Sequence, residues 1–255
     1  MRAVVALVVV VMLAGCGGFV GSDQQSPSTD PADLALLPGL SGAEVTNSSL
    51  LAAQHDELSG KAYRMEWKQT ATDGSGSVLS YENGTSIVAA GGNPARERIV
   101  RRGPTATASN VNRTDYWSDD ELSVVRESGA GSVRYAEVTD EGVSPDPPFP
   151  LERAYDAVDT VIVRPRTSEP YVLEGHTDHL GRYENVSFRL TLSADGYLTA
   201  ATLEGETLYS AIYRADEVSV ELTYTLRQLS VFESGPTEPT WIETARTEIG
   251  NQSAG

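Results

Sequence analysis

The chain has 255 residues, of which 40% are hydrophobic and 22% are charged. These values indicate a packed core and exclude a disordered or collagen-like chain. The 36 acidic and 19 basic residues give a net charge of -17, which argues against nucleic acid as a partner, because phosphate binding needs a basic patch. Only Lys61 and Lys68 are lysines, and an acid excess with few lysines indicates adaptation to high salt and a haloarchaeal source. An acidic mesophilic protein is the alternative.

Residues 3–14 form an apolar run behind a positively charged start. The run is shorter than the about 20 apolar residues that span a membrane, so residues 1–15 are predicted to be a cleaved signal peptide. The segment Leu13-Ala14-Gly15-Cys16 resembles the lipobox of lipoproteins, and Cys16 is the only cysteine. The resemblance implies that Cys16 carries a lipid anchor at the extracytoplasmic face of the cell membrane. A plain signal peptide with an incidental cysteine is the alternative.

Composition and periodicity divide the chain into four segments, of which the signal peptide over residues 1–15 is the first. After the signal peptide, residues 16–40 are rich in Gly, Ser, Asp, Gln and Pro and predict a lipidated flexible tether. A single β-rich domain is predicted over 41–248, and a disordered tail over 249–255.

The domain is predicted to begin with a helix over 47–59, which Thr46, Asn47 or Ser48 can cap and Gly60 can end. Its expected common face carries Leu50, Leu51, Gln54 and Leu58. From Tyr63 the hydrophobic period changes to two, which predicts a half-buried strand with Met65 and Trp67 on its buried face.

The following region predicts antiparallel strands. Asn83-Gly84 lies between two strand-like runs and predicts a tight hairpin turn. Turn residues at 118–120, 129–131 and 195–196 predict further hairpins, and Val218 to Leu226 shows the cleanest alternation of apolar and polar residues.

One more helix is predicted over 151–162. Leu151, Ala154, Tyr155, Val158 and Ile162 recur at helical spacing, and Pro165 ends the run.

This order of elements resembles the LolA/LolB-type carriers and the LppX/LprG-type mycobacterial lipoproteins. It is also similar to a group of uncharacterised haloarchaeal lipoproteins, through Leu13–Cys16, Leu37-Pro38-Gly39 and Trp117-Ser118-Asp119. The resemblance implies an α+β, mostly β fold. This would be a curved antiparallel sheet, an incomplete barrel, with about two helices on its concave side and an apolar cavity between them.

The residues that usually carry chemistry do not converge in the sequence. His176 and His179 lie three apart in a strand-like stretch, so they point to opposite faces and predict no shared metal. No nucleophile elbow, phosphate loop or dinucleotide fingerprint is present, so no catalytic residue and no cofactor are expected. Arg96, Arg98, Arg101 and Arg102 form a basic stretch, which is interpreted as a solvated strand face, with phosphate or lipid-headgroup binding as the alternative.

Five Asn-x-Ser/Thr sequons are candidates for N-glycosylation because the chain carries an export signal. They are Asn47, Asn83, Asn112, Asn185 and Asn251. Asn83, in the predicted hairpin tip, is the best placed of them.

The leading hypothesis is a non-enzymatic, membrane-anchored module that binds or carries a lipid or another hydrophobic ligand. Its candidate lining residues are large apolar side chains on the predicted inward faces, namely Met65, Trp67, Leu151, Tyr155 and Val158. Ordinary core is the other interpretation of these residues. A structural or interaction protein of the cell envelope without a ligand cavity is the second hypothesis, and an enzyme is the third.

Anchoring through Cys16 can be tested directly. The substitution Cys16→Ser removes the only thiol that can take the lipid, so the mature protein is expected to move from the membrane fraction to the medium. Immunoblots of washed membranes and of medium give the measurement, and a mutant that stays in the membranes contradicts the lipobox assignment.

Overall fold

The computed structural model describes residues 34–104, 110–138, 143–165, 167–211, 214–228 and 235–253. The predicted signal peptide, Cys16 and most of the predicted tether lie outside these residues.

Folded structure begins inside the segment that was predicted to be tether. Strands β1 (Ala35–Leu37) and β2 (Leu40–Ser41) pair as a small antiparallel sheet, and Leu40 is buried. Leu36 and Leu37 also pack against the main core, so apolar contacts hold this hairpin against the domain.

Eleven strands form one antiparallel sheet. In chain order they are β3 (Tyr63–Thr72), β4 (Val78–Val88), β5 (Ala95–Arg102), β6 (Arg113–Ser118), β7 (Ser123–Gly129), β8 (Ser132–Glu137), β9 (Val158–Val163), β10 (Tyr171–Leu180), β11 (Tyr183–Leu192), β12 (Leu198–Ala211) and β13 (Arg214–Gln228). Their spatial order is β8-β7-β6-β5-β4-β3-β13-β12-β11-β10-β9. The sheet therefore consists of two meanders, β3 to β8 and β9 to β13, joined by the pairing of β3 with β13.

The predicted fold class is confirmed. The sheet is curved, and its edge strands β8 and β9 do not pair with each other, so the barrel is incomplete. Three helices accompany it in the described residues: α1 (Ser48–Asp56), α2 (Leu151–Asp156) and α3 (Ile242–Ser253). Helices α1 and α2 pack against each other, and α2 contacts β10.

Alternation along the strands separates two faces of the sheet. The inner face carries the main core, with Tyr63 and Met65 from β3 and Leu222 and Tyr224 from β13. The outer face carries the intervening residues. There α3 covers a smaller cluster that includes Trp117, because Ile242 and Ala245 are fully buried against it.

Helix α1 matches its prediction closely. The side-chain oxygen of Asn47 accepts a hydrogen bond from the backbone N–H of Leu50 at 2.9 Å, and a 3-10 turn over Glu57–Gly60 ends the helix. Leu50 itself is exposed, whereas His55 shares the buried side of the helix with Leu51.

The predicted hairpin at Asn83-Gly84 is wrong, because β4 runs without interruption through both residues. Gly84 lies directly opposite Trp67 on β3. A Cβ on Gly84 would lie 2.2 Å from the indole Nε1 of Trp67, so the glycine makes room for a cross-strand aromatic ring rather than for a turn.

The helix predicted over 151–162 is also wrong in extent. It ends at Asp156, and Val158 and Ile162 belong to strand β9. The run Val158–Val163 is rich in β-branched residues, which favour strands, and pairing with β10 supplies its hydrogen bonds.

The sequence analysis missed α3, which extends to Ser253 and so enters the segment 249–255 that was assigned to a disordered tail. Its burial of Ile242 and Ala245 on the sheet explains why the helix forms. Among the described residues, no helix has both the length and the apolar character needed to cross a membrane.

The close approach at Gly84 can be tested by Gly84→Ala. The added methyl group must displace the Trp67 ring, so we expect a loss of about 1 to 3 kcal/mol in unfolding free energy, together with a changed tryptophan emission spectrum. Urea unfolding followed by fluorescence is the measurement. Gly74→Ala is the matched control, since a Cβ there meets nothing within 4 Å. Equal stability of the two variants contradicts this packing.

Candidate ligand-binding cavity

A cavity of about 680 Å³ opens on the inner face of the β3–β8 half of the sheet. Its apolar wall includes Met65, Trp67, Tyr116 and Val125, which project from β3, β6 and β7. The remaining lining residues are Glu97, Thr114, Glu137, Val138, Val143, Ser144, Asp146 and Pro148.

The segment 143–150, which we call the strap, forms one side of this cavity. Along it, residues 145, 147 and 149 are buried, while Ser144, Asp146 and Pro148 are exposed and line the cavity. This alternation is that of an extended chain, and the prolines in the strap favour such a conformation.

Three side chains from the core hold the strap in place. The hydroxyl of Tyr63 donates to the carbonyl of Val143 at 2.7 Å, and that of Tyr224 donates to the carbonyl of Pro145 at 2.5 Å. The third side chain, His55 from α1, bonds the same Pro145 carbonyl at 3.0 Å. Burial raises the pKa of both tyrosines, with a further contribution from Asp146, so their hydroxyls stay protonated and able to donate.

His55 bridges the strap and the sheet in its neutral form. Its Nδ1 accepts a hydrogen bond from the backbone N–H of Leu198 at 3.2 Å, so Nε2 carries the proton and donates to Pro145. Burial lowers the pKa of this imidazole and outweighs the opposing effects of the Pro145 carbonyl, Asp146 and Asp56. The buried histidine is therefore a structural clamp.

The charged side chains that line the cavity are acidic. Glu97 accepts a hydrogen bond from the hydroxyl of Ser86 at 3.0 Å, and burial raises the pKa of its carboxyl against the effects of Ser86 and Arg101. Glu137 and Asp146 add two more carboxyl groups, and no lysine or arginine of the described residues lines the cavity.

The five predicted lining residues fall into two groups. Met65 and Trp67 line the cavity. Leu151, Tyr155 and Val158 are not among its lining residues and pack with the main core instead. Tyr155 is only 1% exposed, and its hydroxyl has no hydrogen-bond partner within the described ranges.

The sequence analysis missed Glu97, Tyr116, Val125 and the strap. Glu97 alternates with Arg96 and Arg98 along β5, and this period of two places it on the opposite face from the arginines. The strap could not be recognised, because nothing local in the sequence shows that its carbonyls meet side chains from distant elements.

The sequons occupy different environments. Asn47 caps α1, and Asn83 is half-buried in the middle of β4 rather than at a hairpin tip. Asn112 and Asn251 are exposed. Asn185 is exposed as well, and its side-chain amide donates to Glu206 at 2.7 Å. Glycosylation of all five stays a prediction.

His176 and His179 are exposed on strand β10, where the Nδ1 of His176 and the hydroxyl of Ser187 are 3.3 Å apart. Within the part of the chain that the structure describes, no three His, Cys, Asp or Glu residues are placed to hold a metal ion.

Comparisons with known proteins identify no family. No family model and no curated protein match the chain. Among solved structures, it is similar to a putative outer membrane lipoprotein-sorting protein domain from Vibrio parahaemolyticus, with 10% sequence identity and a TM-score of 0.26 over 72% of this chain and 93% of that chain. So low a TM-score carries no argument about function. The predicted similarity to haloarchaeal lipoproteins stays a prediction.

The contrast between two buried tyrosines makes the packing testable. Tyr155→Phe removes a buried hydroxyl without a partner in the described residues and is expected to raise the unfolding free energy by roughly 1 kcal/mol. Tyr224→Phe removes the hydrogen bond to the strap and is expected to lower it by about the same amount. Urea midpoints at an unchanged m-value give the comparison. Shifts of the same sign in both variants contradict these assignments.

Proposed function

We propose that this chain is a lipid-anchored extracytoplasmic lipoprotein whose domain binds a hydrophobic ligand in the cavity beneath the strap. The observation that carries the proposal is the cavity itself. Its volume of about 680 Å³ lies within the range of about 300 to 1,000 Å³ that is typical of small-molecule sites. Its anchor would be the lipid on Cys16.

The wall of the cavity supports a ligand with a large apolar part. Trp67, Tyr116 and Met65 offer aromatic and thioether surface, and Val125 adds a β-branched side chain. Such residues bury acyl or ring carbons at a gain of about 25 cal/mol for each Å² removed from water. The part of the ligand that packs against this wall therefore needs no polar group.

The acidic residues of the cavity restrict the charge that the polar end of the ligand can carry. Glu97, Glu137 and Asp146 would repel the carboxylate of a fatty acid at close range, and in the part of the chain that the structure describes no basic side chain lines the cavity to compensate. A neutral ligand, or one that carries hydrogen-bond donors, fits better. We therefore favour a neutral lipid or another uncharged hydrophobic molecule over a free fatty acid.

The second hypothesis, an envelope protein with a filled core, places function on the surface alone. The core beneath α1 and α2 is indeed filled, since Leu51, Tyr155 and Leu173 are buried there. The cavity beneath the strap favours the first hypothesis, because a purely structural domain has no need for an open apolar wall.

Ligand binding can be tested with a cavity-filling variant. Val125→Trp places an indole in the cavity and is expected to weaken binding of the neutral dye N-phenylnaphthylamine by about tenfold or more, equivalent to at least about 1.4 kcal/mol. Dye fluorescence during titration of the full-length protein is the measurement. A dodecanoate probe is expected to bind the parent protein more weakly than dodecanol does.

Val133→Trp is the matched control, because Val133 is an exposed valine on β8 outside the cavity. It is expected to leave dye binding unchanged. A parent protein that takes up no dye, or equal uptake by Val125→Trp and Val133→Trp, contradicts the proposed site.

A further inference from the structure

The outer face of the sheet carries a cluster of arginines built around one carboxylate. Asp115 on β6 is 1% exposed and accepts hydrogen bonds from Arg98 at 3.0 Å, from Arg113 at 2.6 and 2.8 Å, and from Arg126 at 3.2 Å. Burial disfavours the charge on Asp115, but the arginine hydrogen bonds outweigh it and lower the pKa of the carboxyl. Asp115 is thus an ionised support that orients three guanidinium groups.

The guanidinium groups themselves reach solvent. The side chains of Arg98, Arg113 and Arg126 are 43%, 36% and 22% exposed, respectively. Each guanidinium has five donors, and the carboxylate of Asp115 uses only some of them. Of the remaining N–H groups, the Nε–H of Arg126 is buried without a partner in the described residues, and those that reach solvent are available to an acceptor outside the protein.

The cluster has more positive than negative charge. Arg96 stands beside Arg98 on the same face, and no ion pair of Arg96 is found among the described residues. Burial lowers the pKa of its guanidinium, and the nearby charges of Arg98 and Arg113 lower it further. The cluster therefore holds four guanidinium groups and one carboxylate, which pairs with three of them, in a chain whose overall charge is -17.

Two further basic residues extend the cluster into a patch across strands β3 to β7. On the outer face, Lys68 and Arg102 stand over the ring of Tyr81, at 5.6 and 5.9 Å from its centre. Five adjacent strands span about 19 Å, which is wider than a single phosphate group. We call these residues the basic patch: Lys68, Arg96, Arg98, Arg102, Arg113 and Arg126.

Two acidic residues near the basic patch are already engaged. Glu66 on β3 pairs with Arg64 at 2.6 Å, and Asp119 accepts a hydrogen bond from the Trp117 indole at 3.0 Å. Val133, on the same face of β8, is 46% exposed. Beside the residues that α3 covers, a basic surface with a flanking tyrosine and an exposed valine has the amphipathic character of a membrane-interface contact.

We propose that the basic patch binds the phosphate headgroups of an anionic lipid surface. The geometry favours phosphates because guanidinium forks match their oxygens in pairs, which an ammonium group cannot do. The width of the patch favours several headgroups over one soluble ion. With the outer face on the lipid, the cavity on the inner face would open away from the membrane.

Direct contacts make the interaction compatible with substantial salt. The screening length is about 3 Å at 1 M ionic strength, so long-range attraction is lost there, whereas bonds at contact distance are weakened less. The patch is therefore expected to act after contact rather than by steering the protein from a distance.

The test uses the full chain with Cys16→Ser, so that no lipid on Cys16 contributes. Its binding to phosphatidylcholine vesicles is compared with binding to vesicles that also contain phosphatidylglycerol, by co-sedimentation at low salt. The neutral vesicles report any insertion of the apolar N-terminal run, so the ratio of the two binding constants isolates the headgroup charge. A clear preference for the anionic vesicles is expected.

The double variant Lys68→Gln with Arg96→Gln removes two charges that do not bond Asp115. We expect it to lower the anionic-to-neutral ratio by about fivefold for each charge, or about 25-fold in all. The matched control is Arg153→Gln with Arg164→Gln, which removes two exposed charges from outside the patch. It is expected to change the ratio little.

Two outcomes would overturn the proposal. One is an equal fall in the ratio for both double variants, since net charge alone would then explain the binding. The other is binding of inorganic phosphate at the patch, detected by titration, with no preference for anionic vesicles. A soluble phosphate would then replace the lipid surface as the ligand.

Discussion

The pairing of β3 with β13 is the constraint on which the rest of the structure depends. Ten residue pairs, from Tyr63 opposite Gln228 to Thr72 opposite Ser219, join the two meanders. The same two strands provide Tyr63 and Tyr224, which fasten the strap to the inner face. The cavity therefore exists only where this seam has brought both halves of the chain together.

Local sequence patterns predicted those parts of the fold in which one face of a strand is buried and the other is exposed to solvent. They were sufficient for β3 and β13, where alternation and burial agree. They failed at Gly84, because a turn signal between neighbours was overridden by the ring of Trp67 on another strand. They also failed at Val158, where helical spacing competed with a β-branched run that pairs with β10. The cavity could be predicted only in its β3 wall, since the strap lies about 80 residues from the tyrosine that holds it.

Strand β5 shows how one short segment can serve two environments. Its alternation places Glu97 in the cavity and Arg96 and Arg98 on the outer face. Because successive side chains of a strand point to opposite faces, the acidic residue and the basic residues lie on different sides of the sheet. The acidic residue therefore lies in the cavity and the basic residues lie on the outer surface. An acidic interior site and a basic exterior patch thus share one backbone, and a shift of one residue in the register of β5 would exchange them.

Because His55 is neutral in the folded protein, the stability of the contact between the strap and the sheet depends on pH. In the unfolded chain this imidazole takes up a proton near pH 6.5, whereas burial lowers its pKa in the folded protein, even though Asp146 and Asp56 favour the charged form. The unfolded state therefore binds more protons as the pH falls below about 6.5, so the stability that His55 contributes is present above that value and is lost toward the lowered folded pKa. A protonated Nδ1 can no longer accept from Leu198, so acid acts on the contact that joins the strap to the sheet.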